Sequence, residues 1–198
     1  MQSLPHSPSA ERNKGPIFDL LINHLPVSGQ VLEIGSGTGQ HVLHFAAACP
    51  DQNWQPSERT EELPGLQQRL ALAALTNISP ALELDVSRWP WPVEEAPLVI
   101  SINTAHIMSW TAVCNMFKGV GLVLDRAAKF LLYGPFINQG RHNAESNAEF
   151  DRHLKARSPE MGLRDIAELE KLATRSGMSL AGRHPMPANN QILVFRKE

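Results

Sequence analysis

An apolar strand pattern that runs directly into a glycine-rich loop and then a helix pattern is the strongest constraint on this chain. The run Val31-Leu32-Glu33-Ile34 is followed by three glycines at alternate positions, Gly35, Gly37 and Gly39. Positions 41–46 then carry the apolar spacing of an amphipathic helix. A strand, a tight loop and a helix in this order begin a nucleotide-binding α/β domain. We therefore expect a ligand at the carboxyl end of this strand, although an ordinary flexible loop is the alternative.

The spacing of the glycines favours S-adenosylmethionine over a dinucleotide as the ligand. The dinucleotide fingerprint needs its third glycine one residue later, where this chain has Gln40. Glu33, two residues before Gly35, suits an ammonium group better than phosphates. Glycines let the loop backbone approach a ligand that a Cβ would keep away. The residues expected to hold the methionine part of this cofactor are Glu33, Gly35, Ser36, Gly37 and Gly39.

Composition limits the class of protein. A length of 198 residues fits one domain, 1–198, with a polar amino-terminal arm at 1–15. The net charge of −2 and the absence of a basic run argue against nucleic acid as a partner or substrate. Cys49 and Cys114 stand alone, no zinc-ligand spacing appears, and no apolar stretch reaches membrane-spanning length. We expect a cytoplasmic protein without a metal site; its oligomeric state is left open.

Strand patterns alternate with helix patterns along the chain, which predicts an α/β fold. Strands are expected near residues 30–34, 53–55, 81–84, 98–102, 130–133, 178–184 and 191–196. Helices are expected from Pro16 to Pro26, from 40 to 48, after caps at Ser57 and Ser109, and near 144–155 and 163–176. The last two strands share a short turn, so they must be antiparallel. The result is a seven-stranded, Rossmann-like doubly wound sheet with six parallel strands and one antiparallel strand, typical of class I methyltransferases.

The carboxyl ends of parallel strands form the ligand-binding edge of such a sheet. Glu58 ends the second strand, nineteen residues after Gly39, where a ribose diol finds its hydrogen-bond acceptor. Asp85 follows the third strand and suits the adenine amino group, with Val86 packing on the base. The alternatives are an acid in the first turn of a helix for Glu58 and a turn residue for Asp85.

Acceptor-side and catalytic candidates follow the later strands. Asn103 and His106 come after the fourth strand, where the reacting methyl group would lie; His106 is a candidate general base or a structural histidine. Tyr133 ends the fifth strand, and Asn189 lies in the turn after the sixth. Asn103, His106, Tyr133, Asn147 and Asn189 are the residues expected to line the acceptor pocket, with Asn103 also near the cofactor. The four tryptophans are expected in the core rather than in a substrate cage.

Several segments together resemble the methyltransferase-like protein 26 family. They are residues 7–17, 31–41, 54–58, 132–136, 146–151 and 186–190, so the likeness extends from about residue 7 to the carboxyl end. The resemblance implies the class I fold and S-adenosylmethionine, and it supplies no substrate. It also draws attention to Arg12 and Asn13: an arginine before the first helix can pair with the cofactor carboxylate, or be an ordinary surface residue.

The chain also departs from that family pattern. Glu58 stands where aspartate is more usual, which keeps the carboxylate. A bulkier residue is expected between Asn103 and His106, and tryptophan is expected at Met161.

The sequence thus favours an S-adenosylmethionine-dependent methyltransferase acting on a small molecule. A methyltransferase acting on protein or RNA is the first alternative, and a non-catalytic cofactor-binding interaction protein is the second. A dinucleotide oxidoreductase is disfavoured by Gln40.

Overall fold

The computed structural model describes residues 5–198, so Met1 to Leu4 of the predicted polar arm lie outside the described residues. Its helices are α1 (Pro8–Leu21), α2 (Gln40–Ala48), α3 (Leu63–Ala73), α4 (Trp110–Val123), α5 (Glu145–Arg157) and α6 (Ile166–Arg175). A short 3₁₀ helix, Ile22–His24, extends α1. The first five strands are β1 (Gln30–Ile34), β2 (Asn53–Glu58), β3 (Leu82–Glu83), β4 (Ala96–Ile102) and β5 (Leu124–Gly134). The remaining strands are β6 (Phe136–Asn138), β7 (Arg141–His142), β8 (Arg164–Asp165), β9 (Met178–Met186) and β10 (Asn190–Lys197).

Seven of these strands form the main sheet in the order β3-β2-β1-β4-β5-β10-β9. The first five pair in parallel, β10 is antiparallel to both of its neighbours, and β9 therefore runs with the other five. The predicted class I methyltransferase sheet, six parallel strands and one antiparallel, is confirmed. A second sheet of three short strands, β7-β6-β8, was not predicted; β6 and β7 lie in the polar segment that follows β5, and β8 lies between α5 and α6.

Helices cover both faces of the main sheet because successive side chains of a strand point to opposite faces. Leu32 of β1 belongs to the apolar cluster that includes Phe117 of α4 and Leu169 of α6. Val31 belongs to the cluster on the other face, with Ile17 of α1 and further residues of α1 and α2. The carboxyl ends of the central strands are left uncovered by this arrangement. Within residues 5–198, no helix is both long and apolar enough to cross a bilayer.

The first helix begins at Pro8, two turns earlier than predicted. The Ser7 hydroxyl caps it by accepting a hydrogen bond from the Ala10 N–H at 3.2 Å, and Pro8 occupies its first turn. Pro16, expected to open the helix, lies inside it. The apolar burial of Ile17 and Leu21 outweighs the backbone hydrogen bond that a proline cannot donate.

The predicted cap at Ser57 is wrong as well. Ser57 is a fully buried residue of β2, and its hydroxyl donates to the Glu33 carbonyl at 2.7 Å. The next helix, α3, starts at Leu63. Ser57 remains in the sheet because its hydroxyl can bond to the neighbouring strand. The sequence alone did not show that β2 continues to Glu58.

The tryptophans divide equally between core and surface. Trp54 and Trp91 are buried as expected, whereas Trp89 is 41% exposed and Trp110 is 38% exposed. The expectation of four core tryptophans is therefore wrong for two of them. Trp89 stacks on Trp91 with a ring separation of 5.2 Å, and Trp110 lies 5.7 Å from the Arg164 guanidinium. Each exposed ring thus rests on a neighbouring side chain.

Candidate functional site

A cavity of about 740 Å³ opens at the carboxyl ends of β1 to β4. Its floor includes Ile34 and Ile102, the last residues of β1 and β4. The predicted site residues that line it are Gly35, Gly37, Glu58, Asp85, Val86 and Asn103. Further lining residues come from α3, α4 and the loops beside them, and include Thr38, Leu66, Thr104, Ile107, Met108 and Glu160. The sheet edge chosen from the strand pattern is therefore the edge that carries the cavity.

The glycine loop presents bare backbone to this cavity. The N–H groups of Gly35 and Ser36 both donate to the Ser57 carbonyl, at 3.1 and 2.9 Å, which fixes the loop on β2. Gly35 has a φ of +72° and Gly37 has a φ of +53°. A Cβ added at Gly37 would meet no atom within 4 Å, so this position faces open space. A ligand can therefore approach the loop closely.

Two carboxylates lie on the cavity wall next to this loop. Glu58 accepts hydrogen bonds from the N–H of Gly37 at 2.7 Å and from the N–H of Arg59 at 2.8 Å. Asp85 accepts from the N–H of Ser87 at 2.9 Å and remains partly exposed. Val86 beside it is buried and apolar. The wall therefore offers carboxylate oxygens that can accept from hydroxyl and amino groups, and an apolar surface next to them.

Glu33 lies beneath the loop rather than on the cavity wall. Its side chain is 2% exposed, and its Oε2 atom has no hydrogen-bond partner among the described residues. Burial raises the pKa of Glu33 to about 7; a hydrogen bond with Ser36 opposes this rise, and the charge of Glu58 adds to it. Strand alternation explains the position, because Glu33 points to the same face as Val31, towards α1 and α2.

Asn13 and Tyr133 meet on that same face, in a buried polar cluster. The His41 ring donates from Nε2 to Asn13 Oδ1 at 2.8 Å, and a hydrogen bond joins Asn13 to Tyr133. Burial raises the pKa of Tyr133 and lowers the pKa of His41 to about 4. Tyr133 is 3% exposed and, with Asn13, lies away from the residues that line the cavity. The sequence analysis did not single out His41. The only feature that could have indicated a role near the site was its position directly after Gln40.

Gln40 fastens the amino-terminal segment to the glycine loop. Its side-chain oxygen accepts from the Ser7 N–H at 2.7 Å and from the Thr38 hydroxyl at 3.0 Å, and its amide donates to Glu11 at 3.0 Å. Through this contact the segment reaches the cavity, and Pro5 lines its rim. Arg12 points outward on α1 and forms no ion pair within residues 5–198.

Asn103 and His106 occupy different environments in the turn after β4. Asn103 has a φ of +59°, donates its N–H to the Tyr133 carbonyl at 3.0 Å and lines the cavity. His106 is 7% exposed, packs edge-on against Phe150 at 5.3 Å and is not among the cavity-lining residues. Burial, aided by the charge of Arg164, lowers the pKa of His106 to about 4. Its imidazole is therefore neutral at pH 7.

Asn147 and Asn189 contact each other across two elements. The Asn147 amide donates to the Asn189 carbonyl at 3.0 Å and to Asn143 Oδ1 at 2.6 Å. Neither is among the cavity-lining residues, so this contact ties the start of α5 to the turn before β10.

Arg164 is the site residue that sequence reasoning missed. Its guanidinium donates to the carbonyls of Ala105 at 3.0 Å, Met108 at 2.5 Å and Glu160 at 2.8 Å. It thereby holds the turn after β4 against the segment before β8. Its partners on that turn are 59 and 56 residues away in sequence, so no local pattern could have indicated them.

Comparisons with known proteins agree with this fold. The family described as "Protein of unknown function (DUF938)" matches residues 4–197. The structure of the mitomycin 7-O-methyltransferase MmcR is similar at a TM-score of 0.80 and 16% identity, over 96% of this chain and 54% of that chain. CalO1, a methyltransferase in calicheamicin biosynthesis in its S-adenosylhomocysteine-bound form, has a TM-score of 0.75 and 19% identity, over 96% and 54%.

An O-methyltransferase family protein from Burkholderia thailandensis has a TM-score of 0.80 and 12% identity, over 96% of this chain and 58% of that chain. Identities this low show a shared fold alone. This chain spans little more than half the length of the structures it matches.

Proposed function

Because this chain belongs to the DUF938 family of proteins of unknown function and has the fold of class I methyltransferases, we propose that it transfers a methyl group from S-adenosylmethionine to a small molecule. The observation that carries this proposal is the cavity at the carboxyl edge of the sheet. Bare glycine backbone, the Glu58 carboxylate and the Asp85–Val86 pair line the same cavity, in the order in which they follow β1, β2 and β3.

The residues of this cavity fit each part of the proposed cofactor. Glu58 has carboxylate oxygens for a ribose diol, and it stands beside the open backbone of Gly37. Asp85 can accept from the adenine amino group while Val86 packs on the ring. The methionine part would lie along the glycine loop, above the partly unsatisfied carboxyl group of Glu33.

Methyl transfer requires little acid–base chemistry of this chain. When bound, the cofactor supplies a methyl group whose bond to sulfur breaks as the acceptor lone pair bonds to carbon; the electron pair stays on sulfur and S-adenosylhomocysteine is released. The protein has to hold donor and acceptor in line and exclude water. Asn103 stands on the cavity wall at the end of β4, where its amide can orient an acceptor.

His106 is poorly suited to remove a proton from the acceptor. Its lowered pKa makes it a weak base, and its ring packs on Phe150, outside the cavity lining. An acceptor that has already lost its proton to solvent, such as a thiolate or an unprotonated amine, needs no general base in this position. We therefore assign His106 a packing role.

A small acceptor fits the charge and size of the molecule better than a macromolecule does. The chain has a net charge of −2 and its cavity wall carries Glu58, Glu62, Asp85 and Glu160 against a single basic side chain, Arg59, among the described residues. Such a surface repels the phosphates of RNA. The names of two similar structures, a mitomycin 7-O-methyltransferase and a calicheamicin-biosynthesis enzyme, also support small molecules as acceptors.

Calorimetric titration with S-adenosylmethionine, S-adenosylhomocysteine and NAD tests the proposal. We expect the first two to bind at micromolar Kd, and Glu58→Ala to weaken both by at least about tenfold, since a hydrogen bond to a charged group is worth about 1.5–3 kcal/mol. Glu61→Gln, which removes one charge from the same loop outside the cavity lining, is the matched control.

Binding of NAD alone, or of none of the three, would overturn the methyltransferase proposal. Binding of the methyl donor without methylation of any compound in a metabolite extract would instead favour a non-catalytic cofactor-binding protein.

A further inference from the structure

We propose that the methyl acceptor binds in the part of the cavity lined by Ile107, Met108 and Glu160, and that it is an uncharged or cationic molecule with an apolar body. This inference rests on the proposed function and specifies the acceptor class for the same cavity. Three properties of the cavity wall carry it: its position, its charge and its exposed apolar side chains.

The cavity has a side that the proposed cofactor contacts do not use. The glycine loop, Glu58 and Asp85 stand on β1, β2 and β3. Beyond β4 the wall is formed by Ile107 and Met108 of the turn and by Glu160 of the segment before β8. With the proposed cofactor held on the β1 to β3 side, this part of the cavity would be left for the acceptor.

This far wall is held in place by polar contacts. Arg164 joins the carbonyls of Met108 and Glu160, and so links the turn to the segment before β8. The Gly162 N–H donates to the His106 carbonyl at 3.0 Å. The Leu163 N–H donates to Asp151, a carboxylate 3% exposed, at 2.8 Å. The opening is therefore preformed, as small-molecule sites usually are.

The charges on the wall disfavour an anionic acceptor. Arg164 directs its guanidinium at three carbonyls and the face of Trp110, so it is not directed at a ligand. Arg59 pairs with Glu61 at 3.2 Å on the opposite side of the cavity. The Glu160 carboxylate, exposed and without an ion-pair partner within residues 5–198, is the one ionisable side chain on the far wall of the described cavity. It would attract a cation and repel an anion.

Apolar side chains line this part of the cavity. Ile107 is 48% exposed and lines it together with Met108. Trp110 and Phe150, 38% and 37% exposed, pack on Arg164 and His106 outside the cavity lining. Apolar surface of this kind at the mouth of a cavity marks a site for an apolar ligand group.

Binding of three ligands that share a shape and differ in charge, measured on the protein saturated with S-adenosylhomocysteine, tests the proposal. The probes are a benzylamine, a benzyl alcohol and a benzoate that carry the same para-propyl group. Their dissociation constants are measured by ligand-observed NMR at neutral pH. We expect the amine to bind more tightly than the alcohol, and both to bind at least about tenfold more tightly than the benzoate, because one unfavourable charge contact of about 1.4 kcal/mol changes Kd tenfold.

Glu160→Gln removes the charge of the wall and keeps a side chain of nearly the same shape. In this variant we expect the amine to lose its advantage over the alcohol while S-adenosylhomocysteine binds as in the wild type. Glu149→Gln removes the same charge from the residue beside Phe150, outside the cavity lining, and is expected to leave the amine-to-alcohol ratio unchanged.

Preferential binding of the benzoate, or no binding of any probe to the saturated protein, would overturn the acceptor proposal alone. An amine-to-alcohol ratio that Glu160→Gln leaves unchanged would overturn the role of Glu160. Failure of S-adenosylhomocysteine itself to bind is a different result, seen before any probe is added, and it overturns the proposed function.

Discussion

The Glu58 carboxylate accepts a hydrogen bond from the Gly37 N–H at 2.7 Å, which joins the end of β2 to the open face of the glycine loop. The two residues are 21 positions apart, and the parallel register of β1 and β2 brings them together. One carboxylate oxygen thus fixes the loop and the other accepts from the Arg59 N–H, while Glu58 still lines the cavity. Because of this arrangement, Glu58 is the first residue to substitute.

Glu58→Gln is expected to bind S-adenosylmethionine more weakly than the wild type and more tightly than Glu58→Ala. The amide keeps one oxygen that can accept from a hydroxyl group, but it loses the charge that strengthens the bond. Calorimetry on the three proteins measures the order. Equal affinity of the wild type and Glu58→Ala would show that Glu58 contributes nothing to binding.

Glu33→Gln is expected to stabilise the protein at high pH and to have little effect at low pH. Burial raises the pKa of Glu33 from 4.5 to about 7, so the native carboxyl group is favoured when protonated. That stabilisation is complete below pH 4.5 and is lost as the pH rises through 7, where the buried group must ionise. The glutamine variant avoids this loss, so its free energy of unfolding at high pH should exceed that of the wild type by up to about 3 kcal/mol. Urea unfolding at a series of pH values measures the difference; parallel stability curves would contradict it.

Acid is expected to destabilise the protein between pH 6.5 and pH 4. Burial lowers the pKa of both His41 and His106 from 6.5 to about 4, so each is neutral in the native state while the unfolded chain takes up a proton. Their contribution is intact above pH 6.5 and is lost as the pH falls towards 4. The free energy of unfolding of His106→Gln should therefore fall less steeply as the pH is lowered. Its loss should be smaller than that of the wild type by up to about 3 kcal/mol at about pH 4.

The control for the acid slope is His153→Gln, at an exposed position of α5. Chemical denaturation across this pH range gives the slopes. The same slope for His106→Gln and the wild type would mean that His106 is already protonated or exposed in the native protein.

Gly35→Ala is expected to cost more stability than Gly37→Ala. Both positions have positive φ, which costs an alanine about 1–2 kcal/mol. At Gly35 the new Cβ would also lie 2.7 Å from the Thr104 methyl group, whereas at Gly37 it would meet nothing within 4 Å. We expect losses of about 2–4 kcal/mol and about 1 kcal/mol in unfolding free energy. Equal losses in thermal and urea unfolding would contradict the crowding at Gly35.

Gln40→Ala is expected to loosen the amino-terminal half of α1. Its amide holds the Ser7 backbone and the Glu11 carboxylate, and the alanine variant keeps neither bond. Hydrogen exchange followed by mass spectrometry should show faster exchange in residues 7–14, while β4 and β5 keep the wild-type rates. Unchanged protection of residues 7–14 would show that the buried Asn13–His41 contact alone fixes the helix.

Side-chain direction separates the predicted site residues that line the cavity from those that do not. Glu58 is the last residue of β2 and Asp85 lies two residues after β3, and both line the cavity at that edge. Tyr133 and Glu33 remain within strands, and the alternation of β5 and β1 turns both to the α1 face. The strand ends were readable from the sequence, but the face towards which each strand residue points depends on register.

Local signals in the sequence were sufficient for the order of the main-sheet strands and their helices, but not for the start of α1, the end of β2 or the second sheet. Period-two and helical spacing, the glycine loop and the Ser109 cap determined the order of strands and helices, because these depend on neighbouring residues alone. The class I sheet followed, since strands that alternate with helices must run parallel.

Only the tertiary structure decided which polar groups meet. Arg164 with Met108, Asn13 with His41, and Asn147 with Asn189 are contacts between residues that are far apart in the sequence. Such pairs form where packed elements bring a donor and an acceptor together without water, and a buried polar group must take whichever partner the fold supplies. The sequence therefore determined the sheet and its binding edge, and the packing of α3, α4 and the segment 158–164 determined the walls of the site.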